Sequence, residues 1–286
     1  VIYFRGSGEP ERQELTRQDI LPAQGVAVLQ LSDGREVPLN STAIIQEQEG
    51  VVIKNDSSRV LDYTLATTKS EPLYNTITVP AGGEFRVLLS DGSSVRLNSC
   101  SALTYPVPFT GDVREVKLTG EAYFDVTKND KQPFIVETDL GEVKVYGTQF
   151  NVKFYPEERE IKATLVEGNI GFRSEQVAEL KIKPGYQLRL AEGAKKPEVK
   201  PVKIYNEIAW KNRMFCFESE RLESIMVKLE RWYNVDVVFE DPALKNFKFS
   251  GNLNRYDNID KILHFFEEVF DVKFVVDGNT IKVMRK

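Results

Sequence analysis

The chain holds one histidine, His264, and two cysteines, Cys100 and Cys216, among 286 residues. Acid–base or nucleophilic chemistry needs such a group in a pocket beside a partner. A metal centre needs several of them at ligand spacing. Neither pattern occurs: there is no H-E-x-x-H, no C-x-x-C, no phosphate-loop glycine motif and no G-x-S-x-G. His264 lies in a helical segment whose apolar stripe is Ile259, Ile262, Leu263, Phe266 and Phe270. It falls roughly 145° from the stripe's centre and is expected in solvent. The adjacent acids Glu157–Glu158 and Glu267–Glu268 are of the type that hydrolyses glycosides. On a turn and a helix surface they read as solvated charges. Asp33-Gly34 and Asp91-Gly92 offer too few oxygens for a dedicated calcium site. The cysteines form no disulfide framework, although one long-range bridge stays open. No catalytic residue, cofactor or metal is expected.

The elements that would position a site are more legible. The pattern [L/V]-x-L-S-D-G-x-x-V-x-L-N-S occurs twice, from Leu29 to Ser41 and from Val87 to Ser99, at a constant offset of 58 residues. Each copy reads as two short strands around an Asp-Gly turn in which both central residues take positive φ. Strand-like segments with frequent turn signals fill 25–190, which predicts a mainly β domain: antiparallel, and a twisted sandwich or solenoid-like stack. Residues 1–24, with Gly6, Gly8, Pro10 and Pro22 among charges, read as a linker. A Lys-, Pro- and Glu-rich stretch marks a second linker at 191–204.

Beyond residue 204 the period changes from two to about 3.6. Leu222, Ile225, Met226, Leu229, Trp232 and Tyr233 share one helical face, and Ile259 to Phe270 supplies a second. A shift of 37 residues superimposes Leu222 on Ile259, Ile225 on Ile262, Leu229 on Phe266 and 235–239 on 272–276. Residues 205–286 therefore read as a small α+β domain of two β-α-β units forming one sheet with both helices on one face.

A net charge of −5 argues against nucleic acid as a partner. No stretch approaches the roughly 20 apolar residues of a membrane span. Two apolar residues fall off the core faces: Phe265 about 115°, and Val227 about 155°, from their stripe centres. They are the candidate partner-binding residues, with the sheet edge of the small domain as a second candidate. A secreted carbohydrate-binding or adhesive β module is the alternative reading, and a hydrolase a weaker third.

Several motifs resemble the iron-citrate regulator, or FecR-like, anti-sigma family. They are the second S-D-G repeat through Asn98, Tyr105-Pro106, Gly120-Glu121-Ala122-Tyr123-Phe124-Asp125-Val126, and Pro133-Phe134-Ile135-Val136. Gly147-Thr148-x-Phe150-Asn151-Val152, Thr164-Leu165-Val166-Glu167-Gly168 and Pro184-Gly185 continue the series. Trp210, Phe215, Phe217, Arg231-Trp232-Tyr233 and Phe249-Ser250-Gly251 resemble the C-terminal domain of the family's Bacteroidetes branch. The doubled strand–helix–strand plan is similar to the short N-terminal domain of secretins and TonB-dependent receptors. The resemblance implies the periplasmic sensor region of a regulator anchored in the inner membrane. Such a regulator relays a signal from the signalling domain of a TonB-dependent outer-membrane transducer to an extracytoplasmic-function sigma factor. Sigma binding would fall to a cytoplasmic domain absent from this chain. Residues 1–24 would then be juxtamembrane, with Val1 to Phe4 a remnant of the membrane helix.

Overall fold

Alternation of buried apolar and outward polar residues sets the described residues between Val28 and Pro201 into strands. The computed structural model describes residues 20–56, 60–64 and 73–286. Val1 to Phe4 and most of the expected 1–24 linker lie outside the described residues. The strands in chain order are β1 (Val28–Gln30), β2 (Glu36–Pro38), β3 (Ala43–Gln46), β4 (Val52–Asn55), β5 (Val60–Asp62), β6 (Leu73–Val79) and β7 (Phe85–Leu88). Then come β8 (Ser94–Leu97), β9 (Ser101–Val107), β10 (Arg114–Asp125), β11 (Phe134–Thr138), β12 (Gly141–Val145) and β13 (Gln149–Tyr155). The series ends with β14 (Glu160–Glu167), β15 (Ile170–Arg173), β16 (Leu180–Ile182), β17 (Tyr186–Ala191) and β18 (Glu198–Pro201). They form a curled, two-layered sandwich. One layer runs β2-β1-β6-β9-β10-β11-β12-β15-β16. The other runs β3-β4-β5-β7-β8-β10-β13-β14-β17-β18. Their inward residues, among them Leu29, Ile53, Val87, Phe124, Phe150 and Phe172, form one core cluster.

Strand β10 belongs to both layers. Its first half pairs with β11 and β9, and Gly120 to Asp125 pair with β13. The switch falls at Gly120, where φ is +99° and a Cβ would lie 2.3 Å from Ser101 Oγ. Only glycine admits that approach. The expected antiparallel plan holds for most pairs, with β10–β11 and β5–β7 as parallel exceptions.

Both S-D-G repeats are hairpins, with Leu29 opposite Val37 and Val87 opposite Val95. Their turn differs from the expected one. Only the glycines take positive φ, +86° at Gly34 and +81° at Gly92. The Gly34 and Gly92 N–H groups donate to the Leu31 and Leu89 carbonyls, and the Leu31 and Leu89 N–H groups to Arg35 and Ser93. This is the three-residue hairpin loop closed by a glycine bulge. An aspartate outside the left-handed region keeps its carboxylate free to accept the N–H two residues on, at 2.9 Å for Asp33 and 3.0 Å for Asp91.

The chain divides into two compact units. The β unit comprises Ala23–Glu218 and Ser250–Arg255. The α+β unit comprises Ser219–Phe249, Tyr256–Lys286 and, of the described N-terminal residues, 20–22. Inside the expected 191–204 linker, β18 pairs with β17. The β unit also takes in helix α1 (Ile204–Glu207) and a tight turn at Ala209–Asn212.

Strand β19 (Met214–Arg221) leads into helix α2 (Leu222–Tyr233) and strand β20 (Asp236–Phe239). Strand β21 (Lys248–Asn254), helix α3 (Ile259–Val269), strand β22 (Lys273–Asp277) and strand β23 (Thr280–Met284) repeat the plan and close the chain. The expected faces are the buried ones: Leu222, Ile225, Met226, Leu229, Trp232 and Tyr233 on α2, and Ile259, Ile262, Leu263 and Phe266 on α3. One expectation needs correction, because the halves do not build a single sheet. Their first strands pair as β19–β21, while β20 and β22 flank β23 in a separate sheet. Strand β23 satisfies β20 in parallel and β22 across a hairpin, so β20 and β22 need no direct pairing.

Candidate functional site

Three of the motif residues meet in the β unit. Asn98 follows β8, Glu121 lies just past the Gly120 switch, and Asn151 faces it from β13. The Asn98 and Asn151 side-chain amides donate to the two Glu121 oxygens at 2.8 and 3.0 Å. Trp210 Nε1 donates to Asn151 Oδ1 at 3.2 Å. All four residues are buried. Burial of a carboxylate is costly unless it is hydrogen-bonded, and here both oxygens have partners.

The cluster extends to a residue with no periodic signal. Arg255 is 2 % exposed. Its Nη2 donates to Asn98 Oδ1 at 2.5 Å, its Nη1 lies 2.9 Å from Glu84 Oε1, and its guanidinium sits 5.6 Å from the Phe215 ring centre. The Arg255 N–H donates to the Arg213 carbonyl. Beside it, Ile208, Trp210 and Tyr123 form an apolar cluster, and Lys211 Nζ stands 3.5 Å from the Tyr123 ring centre. Burial, and then the charge of Arg96, hold the Lys211 ammonium below the usual lysine range. Gln187 donates to Glu207 at 2.6 Å. The arrangement clasps 204–213 and Arg255 onto the sandwich. Its polar groups are used internally, so it is built to hold segments together.

The candidate partner residues Val227 and Phe265 both lie in the α+β unit. Phe265 is exposed, its ring meeting Phe249 edge-on at 5.5 Å. Val227 is half-buried. A residue the wheel reading missed stands one turn beyond Phe265: Val269, 52 % exposed on the same face of α3. The i, i+4 spacing was the available signal.

His264 is on the surface, 3.3 Å from Glu268. Glu158 pairs with Lys153 at 2.8 Å, and Glu267 accepts the Phe274 N–H. No disulfide joins Cys100 to Cys216. Among the described residues no group of three or more His, Cys, Asp or Glu is placed to hold a metal.

The β unit also carries an open groove of about 480 Å³ lined by Tyr74, Pro106, Phe109, Val113, Glu115 and Glu137. Burial, then the charges of Glu137 and Glu142, raise the Glu115 pKa, and its carboxyl hydrogen-bonds that of Glu137. Glycoside hydrolysis requires carboxyl groups about 5–10 Å apart with the sugar between them.

Two family models match the chain, "FecR protein" over residues 75–171 and "FecR, C-terminal" over 214–283. Together they cover more than half of it. The chain belongs to the FecR family. Asn98, Glu121 and Asn151 fall within the first match, and both long helices, with Val227, Phe265 and Val269, within the second. The FecR-family chain is similar to a solved structure of a candidate anti-sigma factor from Parabacteroides distasonis ATCC 8503 at 1.65 Å. A second structure at 2.50 Å bears the same description. Each is 26 % identical with a TM-score of 0.69, over 74 % of this chain and 99 % of the other. No curated relative matches the sequence. This is accordingly a FecR-like anti-sigma factor, with a role in sigma-factor regulation. No helix among the described residues is long and apolar enough to cross a membrane.

Proposed function

We propose that this chain is the periplasmic sensor region of a regulator anchored in the inner membrane. Its α+β unit docks the signalling domain of a TonB-dependent outer-membrane transducer. The regulator passes the transducer's state to an extracytoplasmic-function sigma factor through a cytoplasmic domain outside this sequence. The observation that carries the docking assignment is the exposed pair Phe265 and Val269, one turn apart on α3, away from its buried stripe. Two apolar groups held on one rigid helix face favour a partner that removes them from water. Relay requires only that the transducer's two states bind with unequal affinity.

The test is calorimetric titration of the whole chain with the signalling domain of a TonB-dependent transducer from the same organism. Phe265→Ser with Val269→Asp is expected to weaken binding about tenfold or more. Val227→Asp is expected to weaken it less, because that side chain is half-buried. Undiminished binding by the double variant, with its circular dichroism unchanged, would remove α3 from the interface.

A further inference from the structure

A helix leaves its first N–H groups without intrahelical acceptors. At the start of α3, Asn258 supplies two of the missing partners: its side chain accepts the Asp260 N–H at 2.8 Å, and its carbonyl accepts the Lys261 N–H. The Ile259 N–H finds its acceptor 239 positions away, at the carbonyl of Ile20, at 3.2 Å. Ile20 is 7 % exposed, and both residues belong to the α+β unit. Five residues later the chain is gripped again, now within the β unit. A Cβ on Gly25 would lie 2.4 Å from the Ala81 carbonyl oxygen, and one on Gly82 would lie 2.2 Å from that of Ala23. Residues 23–25 are thus pressed against the turn that follows β6. Five peptide units, at most about 17 Å of chain, join the two grips.

We infer that residues 20–25 are a coupling strap. One end is fastened to the first turn of α3 and the other to the β unit, so occupation of α3 is reported directly to the chain N-terminal to residue 20. This rests on the docking reading above and adds its route: the signal leaves through the Ile20–Ile259 contact and need not cross the sandwich core. Thermodynamic coupling is reciprocal. Loosening the strap must therefore loosen the start of α3, and that direction is measurable without a partner.

The experiment is hydrogen–deuterium exchange on the whole, partner-free chain. Ile20→Ala is expected to speed exchange several-fold in peptides covering 257–264, with peptides from β10 unchanged. Leu21→Ala, at an exposed neighbour, is expected to change neither. Ile20→Val is expected to give a smaller acceleration and covers the case in which the alanine variant fails to fold. Unchanged exchange at 257–264 in both Ile20 variants would overturn the strap. Loss of transducer binding in the Phe265 and Val269 variant bears on docking alone, so the two readings fail separately.

Discussion

The two S-D-G hairpins share a sequence pattern and a turn, yet they occupy different environments. Asp33 bonds the Arg35 N–H at 2.9 Å and its guanidinium at 2.6 Å, and the pair stands in solvent. Asp91 bonds the Ser93 N–H and hydroxyl, and also accepts from Arg114 at 2.7 Å. Arg114 is fully buried. Its Nη1 also donates to the Thr127 carbonyl, its Nε donates to that of Gln132, and its guanidinium lies 5.5 Å from the Phe134 ring centre. Ser93 Oγ in turn accepts the Thr127 N–H. The first copy is held more lightly, by the Ser32 hydroxyl donating to Glu47 at 2.9 Å and by the Arg35 guanidinium donating to the Gln46 carbonyl at 3.0 Å. The second is tied through one arginine to the start of β10 and to the approach to β11. Repetition of a motif thus fixes backbone geometry, while what lies against the motif decides what its side chains do.

Substitutions can break this contrast or sharpen it. Arg114→Ala is expected to cost about 3–5 kcal/mol in urea denaturation, because it removes the charged partner of a partly buried carboxylate and the side-chain donor to two carbonyls. Arg35→Ala, by comparison, should leave the midpoint within scatter. Equal shifts would erase the distinction between the copies. Next in size are Gly34→Ala and Gly92→Ala, each expected to cost about 1–2 kcal/mol because alanine resists positive φ. Gly34 has open space around it, and a Cβ on Gly92 would meet only Thr127 Oγ1, at 3.4 Å. The two glycine costs should therefore agree within about 0.5 kcal/mol, and a wide gap would mean that the turns are not equivalent. The smallest effect concerns pH. The Arg35 N–H and guanidinium hold the Asp33 carboxyl below its ordinary 3.8. A lowered carboxylate stabilises the fold above the unfolded value, and that contribution is lost as pH falls through the folded one. Asp33→Asn should flatten the acid limb of a melting-temperature profile slightly, and a change near pH 7 would contradict this origin.

What was legible follows from periodicity. A period of two revealed the hairpins, and a period near 3.6 revealed both buried helix faces, including Trp232 and Ile262. The parallel β10–β11 pair was not legible, because it depends on β10 changing layers at Gly120, and a glycine inside a strand does not disclose what approaches it. Nor did spacing show that Asn98, Glu121, Asn151 and Trp210 converge. Each sits in its own motif, and tertiary structure brings them together. The buried arginines lacked any local signal, since Arg114 and Arg255 look like surface residues until Asp91 and Glu84 are placed beside them. On α3, the angle from the stripe marks Phe265, and Val269 shares its exposed face by the i, i+4 spacing.

Strand β10 has a mechanical consequence. A sandwich with independent layers can open like a book, each sheet keeping its own hydrogen bonds. Here both pages are bound into one spine. Prising the layers apart must tear main-chain pairs from β9 and β11 on one side or from β8 and β13 on the other. The body therefore behaves as a stiff block that carries a displacement without absorbing it.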